Sequence, residues 1–414
     1  MARAFTGGVG TADALQNILD SASVMRRGLH RSPELAWQEH GTAEVIRSRL
    51  DELGIAWRAC AGTGTVARLA PRAQGRSVAL RGDIDAMPVD ERSGVEWASR
   101  TPGAMHACGH DGHTAVLLAT AEWLVAHEAA LPGPVTLLFQ PAEEGGHGAL
   151  RMIEDGALDG VDIVFGWHNW PALGLGRVAC PDGAVMSANG AFEIEVAGVG
   201  GHGSQPEATR DPVLAAAAIT VALQQIVARR LAPQTPAVVA VTRIEAGASA
   251  TATPASARLG GSIRVPDTAL RDEVFSHIAE IARATAEAHG VEAVTTATPR
   301  YGATVNHPEA AAELRAALEP EVAAAFGAAD ASPDIAIPVM ASEDFSYYLA
   351  ERPGAFALVG AGAVHSCHSP FYDFDDALIE PVLRAYARLA GAPDLPRSDA
   401  RGPQEEMSDR TQDE

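Results

Sequence analysis

The sequence predicts an α/β protein with a mostly parallel central sheet, interrupted by an inserted α+β unit. Three observations predict it. Short apolar strands alternate with helices up to about residue 187, a pattern that builds parallel sheets. From residue 188 the order changes to β-α-β-β-α-β, which suits a compact ferredoxin-like unit with an antiparallel sheet. From about residue 303 the first style returns. The expected organisation is therefore residues 1–187 and 303–395 forming one discontinuous domain, with 188–302 inserted as a lid or dimerisation domain. At 414 residues the chain exceeds what one hydrophobic core usually serves. Residues 396–414, PRSDARGPQEEMSDRTQDE, are polar and expected to form a disordered tail.

Residues 11–53 carry helical patterning, broken at HRSPEL by Pro33. SVALRGDIDAMP gives a strand at Val78 to Leu80 that runs into an acidic loop. A helix follows from Thr114. Strand Val135 to Phe139 ends in QPAEEGG, and strand Ile163 to Phe165 ends at His168. In the insert, AFEIEVAG, AVVAVTRIEAG, ARLGGSIRVP and VEAVTTATPRYG read as strands, and DPVLAAAAITVALQQIVAR and RDEVFSHIAEIARATAEAHG as helices. Ligands of such α/β sheets gather at the carboxyl ends of the strands. Asp83, Asp85, Glu143, Glu144 and His168 all fall there.

The formal net charge of −22 argues against nucleic acid or an anionic membrane as partner, since both require basic patches. All 31 basic residues are arginine, which excludes chemistry that depends on a lysine of this chain. No apolar run has spanning length, and Met1 to Gly10 has no secretory pattern, so a cytoplasmic location is expected. Cys60, Cys108, Cys180 and Cys367 are too scattered to read as a disulfide framework.

MHACGHDGHT, residues 105–114, concentrates one cysteine and three histidines. Cys108 and His110 form a Cys-x-His pair that suits zinc, and manganese, cobalt or iron once carboxylates join. Taken alone, the pair fits a helix-entry loop with a buried thiol better than a metal site. His106 and His113 suit a supporting place better than a ligand's. Glu143 and Glu144 allow a division of labour if their loop bends: one carboxylate holds an ion while its neighbour takes a proton from water. His168, His368 and the glycine-flanked His202 are each weak signals alone and coherent together.

Taken with HRSPEL, LRGDIDAMPVDE, GGHGSQPEATRDP, GSIR, ASEDFSYY and HSPFYDF, these segments resemble the metal-dependent aminoacylase and carboxypeptidase superfamily. The similarity is to its branch of hippurate hydrolases, N-acyl-amino-acid amidohydrolases and plant auxin-conjugate hydrolases, and it runs from residue 30 to 375. The resemblance implies a zinc-peptidase-like catalytic domain and two divalent metal ions, manganese or zinc, with cobalt or nickel as further options. It implies that Cys108 bridges them, with Glu144 and His368 on one ion and His110 and His168 on the other. Glu143 then takes the proton from the attacking water and passes it to the leaving nitrogen, and Asp85 supports a ligand. His202 reaches the partner subunit's site in a homodimer formed through the insert. Arg264 matches a family arginine that binds a substrate carboxylate. Thr251 stands where relatives carry asparagine, a shorter side chain without an amide fork.

The leading expectation is hydrolysis of a C–N bond in a small carboxylate-bearing substrate, an N-acyl amino acid. A hydrolytic deaminase of amino-substituted aromatic acids or amidines is the alternative inside the same fold. A non-catalytic metal-containing binding protein is the alternative outside it, and Glu143 counts against that one.

Overall fold

The computed structural model describes residues 11–327, 335–362 and 365–397. Helices α1 (Thr11–Arg31) and α2 (His40–Leu53) precede a hairpin of β1 (Ala56–Cys60) and β2 (Gly64–Leu69). Then come β3 (Val78–Asp83), α3 (His110–Ala126), β4 (Val135–Gln140), α4 (Gly148–Glu154), β5 (Ile163–Trp170), β6 (Val178–Ala179) and β7 (Gly183–Met186). The next stretch holds β8 (Ala188–Ala197), β9 (Gly201–His202), α5 (Pro212–Leu223), β10 (Val238–Ala246), β11 (Ala252–Thr253), β12 (Ser256–Val265), α6 (Thr268–Ala288) and β13 (Glu292–Pro299). The chain closes with β14 (Thr304–Asn306), α7 (Pro308–Phe326), α8 (Ser346–Glu351), β15 (Gly354–Gly360) and α9 (Ile379–Leu389). The expected tail lies, beyond residue 397, outside the described residues.

The large sheet has the order β1-β2-β4-β3-β5-β15-β6. Its middle, β4-β3-β5-β15, is parallel. The outer strands β1, β2 and β6 pair antiparallel. Continuous apolar runs are what parallel strands covered on both faces require, and β4 and β15 are buried at every residue. One face packs in a core with α1, α2, α3, α7 and α9, where Ile46, Leu117, Leu314 and Leu383 meet. The other face packs with α4 and α8, where Met152, Tyr348 and Phe356 meet.

Residues 188–299 form a separate antiparallel sheet, β10-β12-β8-β13. Strand β8 alternates buried and less buried residues along its length, as a one-sided sheet demands. Helices α5 and α6 cover its apolar face around Phe192, Ile219, Ile263 and Ile278. A two-residue ribbon of β9 and β11 stands apart from this sheet.

Four local readings need correction. Strand β3 runs on to Asp83, so Asp83 lies within it and not after it. The β1–β2 hairpin has no counterpart in the predicted elements. Strand β5 continues to Trp170, so His168 lies within it and not after it, because β15 keeps pairing alongside as far as Gly360. Helix α3 begins at His110 and not at Thr114. Gly109, at φ 91°, turns the chain into it. A Cβ there would lie 2.4 Å from Asn169 Oδ1 and 2.8 Å from the Tyr372 hydroxyl, so both conformation and space call for glycine.

Candidate metal centre

The turn at Gly109 places His110 in the first helical turn of α3, fully buried, with Cys108 just before it. Strand β3 delivers Asp83 and Asp85 to the same place. His110 Nδ1 lies 2.9 Å from the Asp85 carbonyl oxygen and 3.2 Å from its Oδ1, which leaves Nε2 to face the centre. The other Asp85 oxygen accepts the Glu144 backbone N–H at 2.9 Å. Asp85 therefore ties the His110 turn to the glutamate loop.

That loop bends as a division of labour needs. Ala142 at φ 53° and Gly145 at φ 91° bracket Glu143 and Glu144. Tyr301 donates its hydroxyl to the Glu143 carbonyl at 2.6 Å and accepts the Gly145 N–H at 2.9 Å. His368 comes from the chain end in the left-handed region, at φ 68°, and its N–H donates to the Ala107 carbonyl at 2.8 Å. A non-glycine residue held there marks a position that its surroundings over-determine.

Of the candidate donor sets here, two share Cys108: Cys108 with His110 and His168, and Cys108 with Glu144 and His368. Within each set the atoms lie within 4.8 Å of one another. Cys108 Sγ is 3.3 Å from His168 Nε2 and 3.4 Å from His368 Nε2. Glu144 Oε1 is 3.3 Å from His368 Nε2. Cys108, Glu143, Glu144, His168 and His368 line a cavity of about 270 Å³ whose apolar wall includes Trp170, Pro171 and Met186.

Divalent ions fit this donor set. His110 Nε2 and Glu144 Oε1 are buried without a well-formed hydrogen bond, although Asp83 Oδ2 lies 3.4 Å from the first and His368 Nε2 3.3 Å from the second, an arrangement that costs free energy unless something binds them. Thiolate, imidazole and carboxylate together suit borderline divalent ions. The electrostatics agree. Burial alone would lower His110, yet Asp83 and Asp85 raise it to about 10. Burial, with Glu343 and Glu144 nearby, holds Glu143 well above the usual carboxylate range. Burial and His113 hold His168 well below the usual histidine range. A centre this rich in acids is short of positive charge.

Residues 79–392 match the sequence profile of peptidase family M20/M25/M40. The chain belongs to this family. It is 37% identical over 356 residues to the N-acetyl-L-cysteine deacetylase of Bacillus subtilis, covering 86% of this chain and 84% of that one. It is 33% identical over 375 residues to IAA-amino acid hydrolase ILR1-like 4 of Arabidopsis thaliana, covering 88% and 84%. Among solved structures, the YXEP protein of B. subtilis, a dinuclear metal binding peptidase from the M20 family, superposes with a TM-score of 0.76. Its identity is 32%, over 91% of this chain and 98% of that one. The protein is thus an M20 hydrolase of the amidohydrolase and peptidase type.

Not every residue singled out in the sequence comes to this M20 centre. His202 and Thr251 are exposed together beside the β9–β11 ribbon, where the Gly203 N–H donates to the Thr251 carbonyl at 2.8 Å. Neither lines the cavity. Arg264 comes nearer, with Nη1 donating to the Met340 carbonyl at 3.0 Å and to Ser342 Oγ at 3.2 Å, and Ser342 lines the cavity. His113 bridges Asp83 at 2.5 Å and Asn169 at 2.7 Å, which is a supporting place. His106 is buried with neither ring nitrogen partnered.

Sequence reasoning assigned no part to Arg81, Glu343, Asp344 or Tyr301. Fully buried Arg81 reaches Asp83 at 2.6 Å, Glu343 at 2.8 Å and Asp344 at 3.3 Å. The Asp344 N–H in turn approaches Glu143 Oε1 at 3.4 Å. The signal was present in ASEDFSYY, two adjacent acids beside apolar residues, but nothing local says that they turn inward to an arginine.

Proposed function

We propose that the chain hydrolyses the amide of an N-acyl amino acid to a carboxylic acid and a free amino acid. The observation that carries this reading is the pair of donor sets that share Cys108, with Glu143 beside them on the wall of one cavity. A binding protein needs the ligands but has no use for an additional buried carboxylate at that wall. The relatives named for N-acetyl-L-cysteine and for IAA-amino acids support an N-acylated amino acid as the substrate class.

Cys108, His110 and His168 would hold one ion, and Cys108, Glu144 and His368 the other, with manganese or zinc as the proposed metals. The ions supply Lewis acidity, polarising the amide carbonyl and easing loss of a proton from water. Glu143 accepts that proton and returns it to the leaving nitrogen. Asp85 orients His110 and the Glu144 backbone. Arg264 lies one side chain behind the cavity wall and pairs with the carboxylate of the amino acid. Trp170, Pro171 and Met186 receive the acyl group.

A homodimer through residues 188–299 completes the proposal. In this unit the exposed residues Leu214 and Val221 lie one heptad apart on α5, and exposed Ile244 lies on the edge strand β10, paired with Leu259 of the helix-covered face. Such an apolar face beside an open strand edge favours a second copy. It would bring His202 of the β9–β11 ribbon, and Thr251 with it, toward the other subunit's centre. No helix among the described residues is long and apolar enough to cross a membrane, and a cytoplasmic setting is part of the proposal.

The test is product identity. Purified protein loaded with manganese or zinc is given a panel of N-acyl amino acids and amino-substituted aromatic acids. Organic products are followed by mass spectrometry and ammonia by a separate assay. A free amino acid without ammonia is expected. Ammonia with a hydroxylated or oxo product would replace this reading with a deaminating one.

A further inference from the structure

All four cysteines are free thiols, and two of them meet at the proposed centre. Cys60 and Cys180 are buried in the packed clusters on either side of the large sheet. Cys367 precedes His368 and lines the same cavity as Cys108. The segments that carry the pair are pinned side by side. The His368 N–H donates to the Ala107 carbonyl at 2.8 Å, and Cys367 Sγ lies 3.9 Å from the Cys108 carbonyl oxygen. Asn169 Nδ2 lies 3.7 Å from the Cys367 sulfur and holds it from the other side. A disulfide requires Cα atoms about 4.4–6.8 Å apart and sulfurs free to close to about 2.05 Å. The backbone hydrogen bond between the flanking residues and the approach of Cys367 Sγ to the Cys108 carbonyl bring the two residues alongside each other, and both line one cavity into which the sulfurs can turn toward each other.

We infer that Cys108 and Cys367 form a peroxide-sensitive dithiol whose closure to a disulfide disables the metal centre. This rests on the reading of Cys108 as the ligand common to both ions. The oxidant is hydrogen peroxide. The Cys108 sulfur attacks one peroxide oxygen and breaks the O–O bond, giving a sulfenic acid and one water. The Cys367 sulfur then attacks the sulfenic sulfur, the S–O bond breaks, and a second water leaves with the two remaining protons of the thiol and the sulfenic acid. Two thiols are oxidised and one peroxide is reduced to two waters. Both donor sets lose the same atom at once, so one bond removes the holding power of both. Conversely, a Cys108 sulfur engaged by metal is withheld from the peroxide, so loading protects the pair.

The experiment uses the full chain, either stripped with a chelator or loaded with manganese, and then treated with hydrogen peroxide. Free thiols are capped, and the unreduced digest is mapped by mass spectrometry. Metal uptake is measured by elemental analysis before and after dithiothreitol. A peptide linked through Cys108 and Cys367 is expected in the stripped protein, suppressed roughly tenfold in the loaded protein by ligand protection. Metal uptake should fall with cross-linking and return on reduction. Cys367→Ala keeps all five proposed ligands. It should take up metal before oxidation but lose uptake without recovery afterwards, since its sulfenic acid has no partner and oxidises further. Sulfinic acid at Cys108 of the stripped parent without the linked peptide would overturn the inference. So would a Cys367→Ala variant whose loss is as reversible as the parent's. Should that variant not fold, the peptide map of the parent decides alone. An unoxidised parent that takes up no metal would refute the ligand set, which is a separate failure, and would overturn the claimed effect on the centre while the map still reports on the bond.

Discussion

Replacing Asp85 with alanine should weaken both ions unequally. Its carboxylate serves one residue of each donor set, through His110 Nδ1 at 3.2 Å and the Glu144 N–H at 2.9 Å. His110 would keep an acceptor, because the Asp85 backbone carbonyl at 2.9 Å survives the substitution. The Glu144 N–H would lose its acceptor, and an orphaned donor costs about 1–3 kcal/mol in a buried setting. Loss of a group that orients a metal ligand typically costs about 10- to 100-fold in affinity. Roughly the lower figure, about 1.4 kcal/mol, is expected for the ion proposed at His110 and His168, and roughly the upper, about 2.7 kcal/mol, for the ion proposed at Glu144 and His368. Competition titration against a chromogenic chelator resolves the two steps. In a Glu144→Ala background the same substitution should cost only the smaller amount, since contacting residues are not additive. An undiminished hundredfold cost in that background, or parental affinity for both ions in Asp85→Ala, would refute the reasoning.

Three further outcomes are expected. Glu143→Gln should bind two ions as the parent does and lose about 10²–10⁴-fold in kcat, the range of general base catalysis; isothermal metal titration beside steady-state kinetics checks it, and near-parental turnover would remove the base role. His202→Ala should leave metal affinity unchanged and slow turnover, and a mixed dimer with Glu143→Gln subunits should recover part of the rate if His202 acts across the interface; an unchanged rate in the single variant rules that role out. His30 gives a pH signature: burial alone would lower it, but Asp111 and Glu91 raise it to about 10. Its folded value lies above the unfolded one, so its stabilisation is complete below roughly pH 6.5 and is lost as pH rises toward about 10. Denaturant midpoints measured across that window should fall in the parent and fall less in His30→Gln, and parallel curves would deny His30 the effect.

The strand–helix alternation and the ligand types were legible because they are local. Apolar runs such as VTLLF and the Cys-x-His spacing carry their meaning within a few residues. The β1–β2 hairpin was not legible because an edge hairpin has little to bury: strand β1 has a single buried residue, Cys60, so no alternation marks it. Strand β3 was cut short for the opposite reason. Arg81 reads as the end of an apolar run, yet it is buried within the strand because Gln140, Glu343 and Asp344 arrive to bind it from far along the chain. Cys367 carried no signal of its own, since its meaning depends on which segment lies beside it.

Charge explains why these distant residues converge. Asp83, Asp85, Glu143, Glu343 and Asp344 are all buried around the glutamate loop, and two like charges about 4 Å apart repel by roughly 4 kcal/mol even at an effective dielectric near 20. Arg81 answers the acids behind the loop, Asp83, Glu343 and Asp344, and no second arginine bonds to any of those three among the described residues. The acids in front, Glu143 and Glu144, have no arginine ion pair among the described contacts, and the imidazoles of His110 and His368 lie within their reach. Removing Arg81 would leave three buried carboxylates to push into the loop, whereas removing a front acid would relieve repulsion at the expense of ion binding. The arginine therefore belongs to the architecture of the centre as much as its ligands do. That is why a fully buried arginine sits in the middle of the large sheet.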